Sequence, residues 1–347
     1  GNSLASEYRW SFTTAVQPVA VVPFSIDAKY SIVSVATDDL GNVYAYGYFN
    51  SPIPDVFVAK FAPTGTSTWK TEIATVDIDW PQGGIVVSAD RVYIQRYRQA
   101  SGGSGNTLVF VDALRASDGT VLWSTQVDSG SMPSSVKLDV SGNVYATTTR
   151  NTFKLDSTGV IVSRVASGGS ANLFAFGNLF VAGVSYVDAT NLTDRYLTCF
   201  DSSLVSTWTE WRRDSFNADA IALSASVSNS LLYVSEDSYI ATASSVTFQP
   251  LVTAYRIASN GSATVAWTKS LVGGRITSAV SGTSGLYVML DGVPPSLQKL
   301  DATGVVLWTT PISTGGIGVA EYNNSLIFVV RGSNSISIFD ALTGAKK

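Results

Sequence analysis

Short runs in which apolar and polar residues alternate recur along the chain. Examples are "GNVYAYGYF" at 41–49, "YLTCFD" at 196–201 and "SISIFD" at 335–340. A period of two places successive side chains on opposite faces of a β-strand. The pattern therefore predicts an all-β chain.

One of these strands is repeated, each copy beginning at a turn and running into Val-Tyr or an equivalent pair. The seven copies are 41–49, 90–97, 142–149, 177–184, 230–237, 285–291 and 325–332. A strand of small and β-branched residues precedes each copy, and an alternating strand, a turn and an outer strand follow. Such a unit is typical of a propeller blade. We predict one domain over 1–347, a seven-bladed β-propeller of four-stranded antiparallel blades that start near 31, 83, 135, 170, 220, 275 and 317.

A turn followed by Trp ends several units. It reads "LDATGVVLWTT" at 300–310, with relatives at 111–125 and 61–71 and a degenerate copy at 155–163. Gly accepts the positive φ of a tight turn, and Asp hydrogen-bonds the backbone ahead of it. We interpret the Trp residues as packing against the next blade; the alternative is an aromatic platform for sugars.

The last unit ends at 339–347 with this turn but without a Trp strand, whereas "EYRWSFTTAV" at 7–16 offers one. We therefore predict that residues 8–16, with Trp10, form the outer strand of the last blade. Such a strand would close the ring and cover sheet edges.

Composition removes several function classes. Charged residues make up 14%, the net charge is −4, and there is no His and one Cys. Catalysis by Ser-His-Asp or Cys-His groups and His-ligated zinc are thereby excluded, and we interpret Cys199 as a buried core residue. No basic surface for nucleic acid and no apolar run long enough for a membrane span are present.

Two resemblances support the fold. Residues 36–72 resemble the bacterial seven-bladed β-propeller repeat, and the "TGxxxW" endings resemble the repeat of quinoprotein-type (PQQ-like) propellers. Quinoprotein enzymes usually have eight blades and a calcium-bound central site, but their ligand residues have no match in this sequence. We expect no cofactor.

The first 15 residues, "GNSLASEYRWSFTTA", resemble the end of a bacterial Ig-like domain. This resemblance competes with the blade-closing interpretation. It implies that the chain derives from a longer multidomain protein of a bacterial surface or a phage tail.

Long connections are predicted on one face, at 17–30, 74–82, 98–106, 185–195, 211–219 and 236–250, and long loops on a rigid scaffold often carry function. Charged and aromatic residues there are our candidates for ligand binding: Asp77, Asp79, Trp80, Arg96, Tyr97, Arg98, Tyr186, Asp188, Trp211, Arg212, Arg213, Asp214 and Tyr239. Asp77 and Asp79 also suggest Ca²⁺, although the full calcium loop is missing.

Three functions remain open. The leading hypothesis is a non-enzymatic extracellular or virion-surface module that binds a cell-surface glycan or a protein neighbour. The second is a carbohydrate-active enzyme that uses two carboxylates from the set Asp77, Asp79, Asp214, Glu236 and Asp237. The third is a structural subunit of a filament or virion.

Overall fold

The structure of the protein is a computed structural model. It describes residues 24–50, 53–99, 107–187, 192–213, 217–226, 229–241, 246–258, 262–282, 285–312, 316–322, 325–330 and 335–347. The strands of these residues form seven four-stranded antiparallel sheets.

Six sheets each consist of four consecutive strands, which follow one another from the inner to the outer edge. Sheet 1 contains β2 (Tyr30–Thr37), β3 (Val43–Asn50), β4 (Pro54–Phe61) and β5 (Ser67–Ile73). Sheet 2 contains β6 (Ile78–Val87), β7 (Arg91–Gln99), β8 (Leu108–Arg115) and β9 (Val121–Ser129). Sheet 3 contains β10 (Pro133–Leu138), β11 (Val144–Thr148), β12 (Thr152–Leu155) and β13 (Ile161–Val165).

The second half of the chain repeats this order. Sheet 4 contains β14 (Ala171–Ala175), β15 (Asn178–Val187), β16 (Leu192–Phe200) and β17 (Ser206–Arg213). Sheet 5 contains β18 (Asn217–Ser226), β19 (Leu231–Ala241), β20 (Val246–Ile257) and β21 (Ala263–Ser270). Sheet 6 contains β22 (Arg275–Gly282), β23 (Gly285–Asp291), β24 (Ser296–Leu300) and β25 (Val306–Pro311).

Sheet 7 joins the two ends of the described chain. It contains β26 (Gly316–Tyr322), β27 (Ser325–Val330), β28 (Ser335–Asp340) and, as its outer strand, β1 (Phe24–Ser25). In β1, Phe24 pairs with Ile336 and Ser25 with Ser335. The strand predicted over 8–16 lies outside the described residues.

The inner strands meet around a central axis. Each contacts the inner strand of the following sheet, and β26 contacts β2, so that the contacts form a closed ring. The predicted all-β propeller with four-stranded antiparallel blades is therefore confirmed.

Tight turns between inner and second strands follow directly from the sequence. In "DDLGN" the Asp38 carboxylate accepts hydrogen bonds from the backbone N–H groups of Leu40 and Asn42, and Gly41 has a φ of +79°. Positive φ is costly for residues with a Cβ. "DVSGN" at 139–143 uses the same bonds.

The hydrophobic core lies between adjacent sheets. One cluster joins Tyr44 and Tyr46 of sheet 1 to Ile85 and Ile94 of sheet 2. Cys199 lies in the cluster that joins sheets 4 and 5, and burial raises the pKa of its thiol. Buried and not ionised, Cys199 is a packing residue.

Several connections that the sequence predicts to be long are shorter in the structure, because the second and third strands of the sheets extend into them. β7 runs to Gln99, β15 to Val187 and β19 to Ala241. Pairing continues to the strand ends, since Tyr186 faces Thr193 and Tyr239 faces Phe248. Backbone hydrogen bonding in these hairpins favours strand over loop.

Candidate functional site

A docked Trp spans the junction between sheets 1 and 2. The Trp69 indole N–H donates to the Ala116 carbonyl (3.1 Å), and the Thr71 hydroxyl donates to the Gly119 carbonyl (2.7 Å). Gly119 has a φ of +77°, and a Cβ placed there would lie 2.6 Å from the Trp69 ring. The turn therefore requires Gly for both backbone conformation and space.

Three other junctions have the same arrangement. In each, the Trp ring lies within 3.0 Å of a Cβ built on the turn glycine of the next sheet; the pairs are Trp123 with Gly159, Trp267 with Gly304 and Trp308 with Gly344. The indoles of Trp123 and Trp267 donate to backbone carbonyls of these turns. These Trp residues pack against the next sheet, in agreement with the interpretation of the repeat.

The junction between sheets 3 and 4 lacks both members of this pair. Strand pairing puts Ser163, opposite Lys154, where Trp69 stands opposite Lys60 in sheet 1. The turn position of the glycine holds Leu204, whose N–H donates to the Asp201 carbonyl as that of Gly304 donates to Asp301. Leu204 is buried with a φ of +63° and packs in one cluster with Tyr145 and Phe200.

An open groove of about 500 Å³ follows this junction. One wall comes from the end of β13 and the segment after it, and the other from β16 and β17. The lining residues are Thr149, Val165, Ala166, Ser167, Gly168, Tyr196, Thr198, Phe200, Ser206, Thr209 and Trp211. Because β13 ends at Val165, the longer outer strands of sheet 4 extend beyond it.

Two aromatic rings form the floor of this groove. Trp211 is 60% exposed, and its ring centroid lies 5.3 Å from that of Tyr196. The Tyr196 hydroxyl donates to the Gly168 carbonyl, and burial raises the pKa of Tyr196. Tyr196 is thus neutral and fixed, and it holds Trp211 from behind.

The groove is polar but uncharged. Thr198 and Thr209 share a hydrogen bond of 3.1 Å across the two strands. None of the described residues that line the groove is charged. Aromatic faces flanked by hydroxyl groups can bind sugar rings or an extended peptide through apolar contact and hydrogen bonds.

A second set of candidates forms a buried ion cluster in sheet 2. Arg96 pairs with Asp79 and, at 2.6 Å, with Asp112. Asp79 is fully buried and also accepts a hydrogen bond from the Thr75 hydroxyl (2.6 Å). The sequence pattern predicts a loop surface for Asp79 and Arg96. In the structure they belong to β6 and β7, and their side chains are buried inside the sheet, where a ligand cannot reach them.

Their neighbours cover this cluster. Arg98 lies 3.4 Å from Asp79 and stacks over Phe110, as Arg96 also does. Trp80 packs edge-on against Tyr48, with the ring centroids 5.5 Å apart. Asp77 is half-buried at the loop before β6, and burial raises the pKa of Tyr97.

The remaining candidates belong to sheets 4 and 5 or lie beyond them. Tyr186 is part of β15, Arg212 and Arg213 are part of β17, and Tyr239 is part of β19. Asp188 and Asp214 lie outside the described residues. Glu236, one of the carboxylates considered for catalysis, is buried and paired with Arg195.

Of the predicted residues, Trp211 belongs to the groove; sequence reasoning missed Tyr196, Thr198, Thr209 and the 165–168 segment. The signal was present in the degenerate copy at 155–163, which lacks Trp, and in "DSSLVSTW" at 201–208, which lacks the turn glycine.

Within the described part of the chain, no three His, Cys, Asp or Glu side chains are placed to share a metal ion. The same residues contain no helix with the length and hydrophobicity of a membrane span.

The ring of sheets defines the chain as a β-propeller. Residues 252–347 match the family model of the outer membrane protein assembly factor BamB. This segment holds the "TGVVLW" motif that resembles PQQ-like repeats. The Ig-like resemblance of the N-terminus remains a prediction.

Two of the solved structures that resemble this chain, from Pan2 and Sqt1, share its fold. The WD40 domain of Neurospora crassa Pan2 is 12% identical, covers 89% of this chain and 88% of its own, and has a TM-score of 0.60. Saccharomyces cerevisiae Sqt1 is 10% identical over 94% of this chain and 99% of its own, with a TM-score of 0.56. BamB from Moraxella catarrhalis is 15% identical over 92% and 96%, with a TM-score of 0.49. No curated protein matches the sequence.

Proposed function

We propose that the chain is a non-enzymatic binding module of the cell surface, and that the groove between sheets 3 and 4 holds its partner. The observation that carries this proposal is the exposed Trp211 ring, backed by Tyr196, beside an uncharged groove of about 500 Å³. Large, rigid aromatic side chains dominate the energy of many binding sites.

The chemistry of the groove favours a surface glycan. A sugar ring can stack on the indole, while Ser167 and Thr209 offer hydroxyl groups to its own hydroxyls and the buried Thr198 supports Thr209 from behind. The uncharged lining suits a neutral segment of the polymer. Fewer carboxylates are available to an enzyme than the sequence suggests, because Asp79 and Glu236 are both buried in ion pairs.

A protein neighbour is the second candidate. The match of residues 252–347 to a family named for outer membrane protein assembly supports it. That name also favours a cell-envelope location over a virion. The groove would then accept an extended, uncharged peptide segment.

Retention on immobilised bacterial surface polysaccharides tests the proposal, with analysis of the incubated polymers for shortened products. We expect the wild-type chain to be retained without cleavage and Trp211→Ala to lose at least about fivefold in affinity, since removing an anchoring aromatic commonly costs more than about 1 kcal/mol. Leu307→Ala is the matched control, because Leu307 is a comparably exposed residue (52%) on β25.

Three outcomes would contradict it. Shortened products would show an enzyme. Equal loss in Trp211→Ala and Leu307→Ala would remove the groove from binding. If no glycan retained the chain, and uncharged peptides bound to it in a way that depends on Trp211, the partner of the groove would be a protein and not a glycan.

A further inference from the structure

The central channel contains a lysine at a position where the other sheets carry uncharged residues. The position compared is the inner-strand residue that pairs with the Tyr or Phe near the start of the second strand, which is the second residue of the repeated Val-Tyr pair or its equivalent. These inner residues are Ala36, Val86, Lys137, Leu173, Ser224, Val280 and Val319. Lys137 therefore introduces one positive charge into an otherwise uncharged ring.

Lys137 lies at the boundary of two neighbouring cavities of about 360 and 350 Å³, both of which it lines. Ser34, Gly83, Gly84 and Ser278 are also shared by the two cavities. Volumes near about 300 Å³ are at the lower end for small-molecule sites, so the channel is suited to a small ligand.

Among the described residues, no carboxylate pairs with Lys137, and burial lowers the pKa of its ammonium group. Lys137 is half-buried, and a partly desolvated cation without a counter-ion is costly. An anion in the channel would offset that cost and hold the lysine in its charged form.

Asn172 forms the wall behind Lys137 and does not offer a ligand contact. Its amide nitrogen donates to the Thr147 hydroxyl (2.7 Å) and to the carbonyl of Tyr145 (3.3 Å), the residue that pairs with Lys137. Asn172 is 1% exposed and its Oδ1 is buried, so a ligand in the channel cannot reach that oxygen.

We propose that the central channel binds a small hydroxylated carboxylate, of the size of a single sugar acid, with its carboxylate on Lys137 and its hydroxyl groups on the serines of the channel wall. The hydroxyl groups of Ser34, Ser135 and Ser278 line the same space and can bond the remaining polar atoms of the ligand. This site is separate from the groove between sheets 3 and 4 and does not depend on its function.

Titration calorimetry with glucuronate, and separately with inorganic phosphate, tests the site. We expect glucuronate to bind and Lys137→Met, which keeps the chain length without the charge, to weaken it at least about tenfold, as charge-assisted bonds are roughly twice as strong as neutral ones. Lys137→Arg should retain binding, and Lys269→Met, at an exposed position of β21, is the control.

Ser278→Ala should weaken glucuronate and leave phosphate unchanged if the hydroxyl contact is correct, because Ser278 lines both cavities. Should that variant fail to fold, Lys137→Met still decides the question. Binding of phosphate alone would overturn the sugar-acid assignment. Equal glucuronate affinity in wild type and Lys137→Met, or no binding of either anion, would overturn the site.

Discussion

The junction between sheets 1 and 2 and the junction between sheets 3 and 4 share a lysine contact but differ in the residue that follows it in space. Both keep a lysine that reaches the next turn: Lys60 donates to Ala116 (3.1 Å) and Lys154 to Ser202 (2.7 Å). At the first, Trp69 covers a glycine turn; at the second, Ser163 faces a turn that carries Leu204. We call the first junction closed because the Trp69 indole spans it, although a cavity of about 530 Å³ lies beside Lys60 and Ala116. We call the second junction open because it has no docked indole, and the groove with Trp211 lies next to it.

At the junction between sheets 3 and 4 the Trp and the turn glycine are both replaced, by Ser163 and Leu204. A glycine leaves space that the indole fills, whereas Leu204 brings its own side chain into the core near Tyr145 and Phe200. Leu204 keeps the left-handed turn at an energetic cost, since positive φ is unfavourable for a bulky residue. The apolar contacts of Leu204 thus take the place of the docked indole at this junction.

The largest effect is expected at the closed junction. Gly119→Ala should destabilise the chain by about 3 kcal/mol, because it adds both an unfavourable φ and a contact with Trp69 and Thr71. Urea denaturation measures the loss. Gly142→Ala is the control: Gly142 has a φ of +80° but nothing within 4 Å of an added Cβ, so the loss should be about 1 kcal/mol. Equal losses would show that the Trp does not constrain the turn.

A double-mutant cycle tests the exchange at the open junction. Ser163→Trp alone should destabilise the chain, because Leu204 occupies the docking space, and Leu204→Gly alone should leave a cavity. Combined, they should be more stable than the sum of the single changes predicts, by about 1–3 kcal/mol. Strict additivity would contradict the account of paired exchange.

A smaller effect is expected from the hydroxyl that accompanies the docked Trp. Thr71→Val removes the bond to the Gly119 carbonyl at nearly constant volume and should cost about 1 kcal/mol. Val165 stands at the corresponding position of the open junction, two residues after Ser163, so Val165→Thr should give no comparable gain. If Val165→Thr raised the free energy of unfolding by as much as Thr71→Val lowers it, the open junction would be able to form the same hydrogen bond, and this difference between the junctions would not exist.

The smallest effect is a pH dependence of the turns. Asp156 accepts hydrogen bonds from the Thr158 hydroxyl (2.7 Å) and from backbone N–H groups, and these bonds lower its pKa. Because the pKa of Asp156 is lower in the folded than in the unfolded chain, its ionised carboxylate stabilises the fold. This stabilisation is fully present above the unfolded pKa of about 3.9, and it is lost as the pH falls through the folded pKa. Asp156→Asn should reduce this acid-dependent part of the urea midpoint; an unchanged pH profile would count against it.

The repeat and the docking role of Trp could be predicted from the sequence because both depend on local spacing. Alternation indicated the strands, and the Gly-to-Trp interval indicated which residue reaches the next turn. The Asp79–Arg96–Asp112 cluster could not be predicted in this way, since it depends on register across three strands. The groove was missed because its lining comes from three separate parts of the chain, at 149, 165–168 and 196–211, which only the fold brings together.

Hydrogen–deuterium exchange with a retained polysaccharide tests the central claim, that the partner occupies the open junction. We predict slower exchange in residues 165–168 and in β16 and β17 on addition of the polymer, with no change around Trp69 and Gly119. Protection at the closed junction, or none in sheet 4, would contradict the assignment of the groove as the binding site.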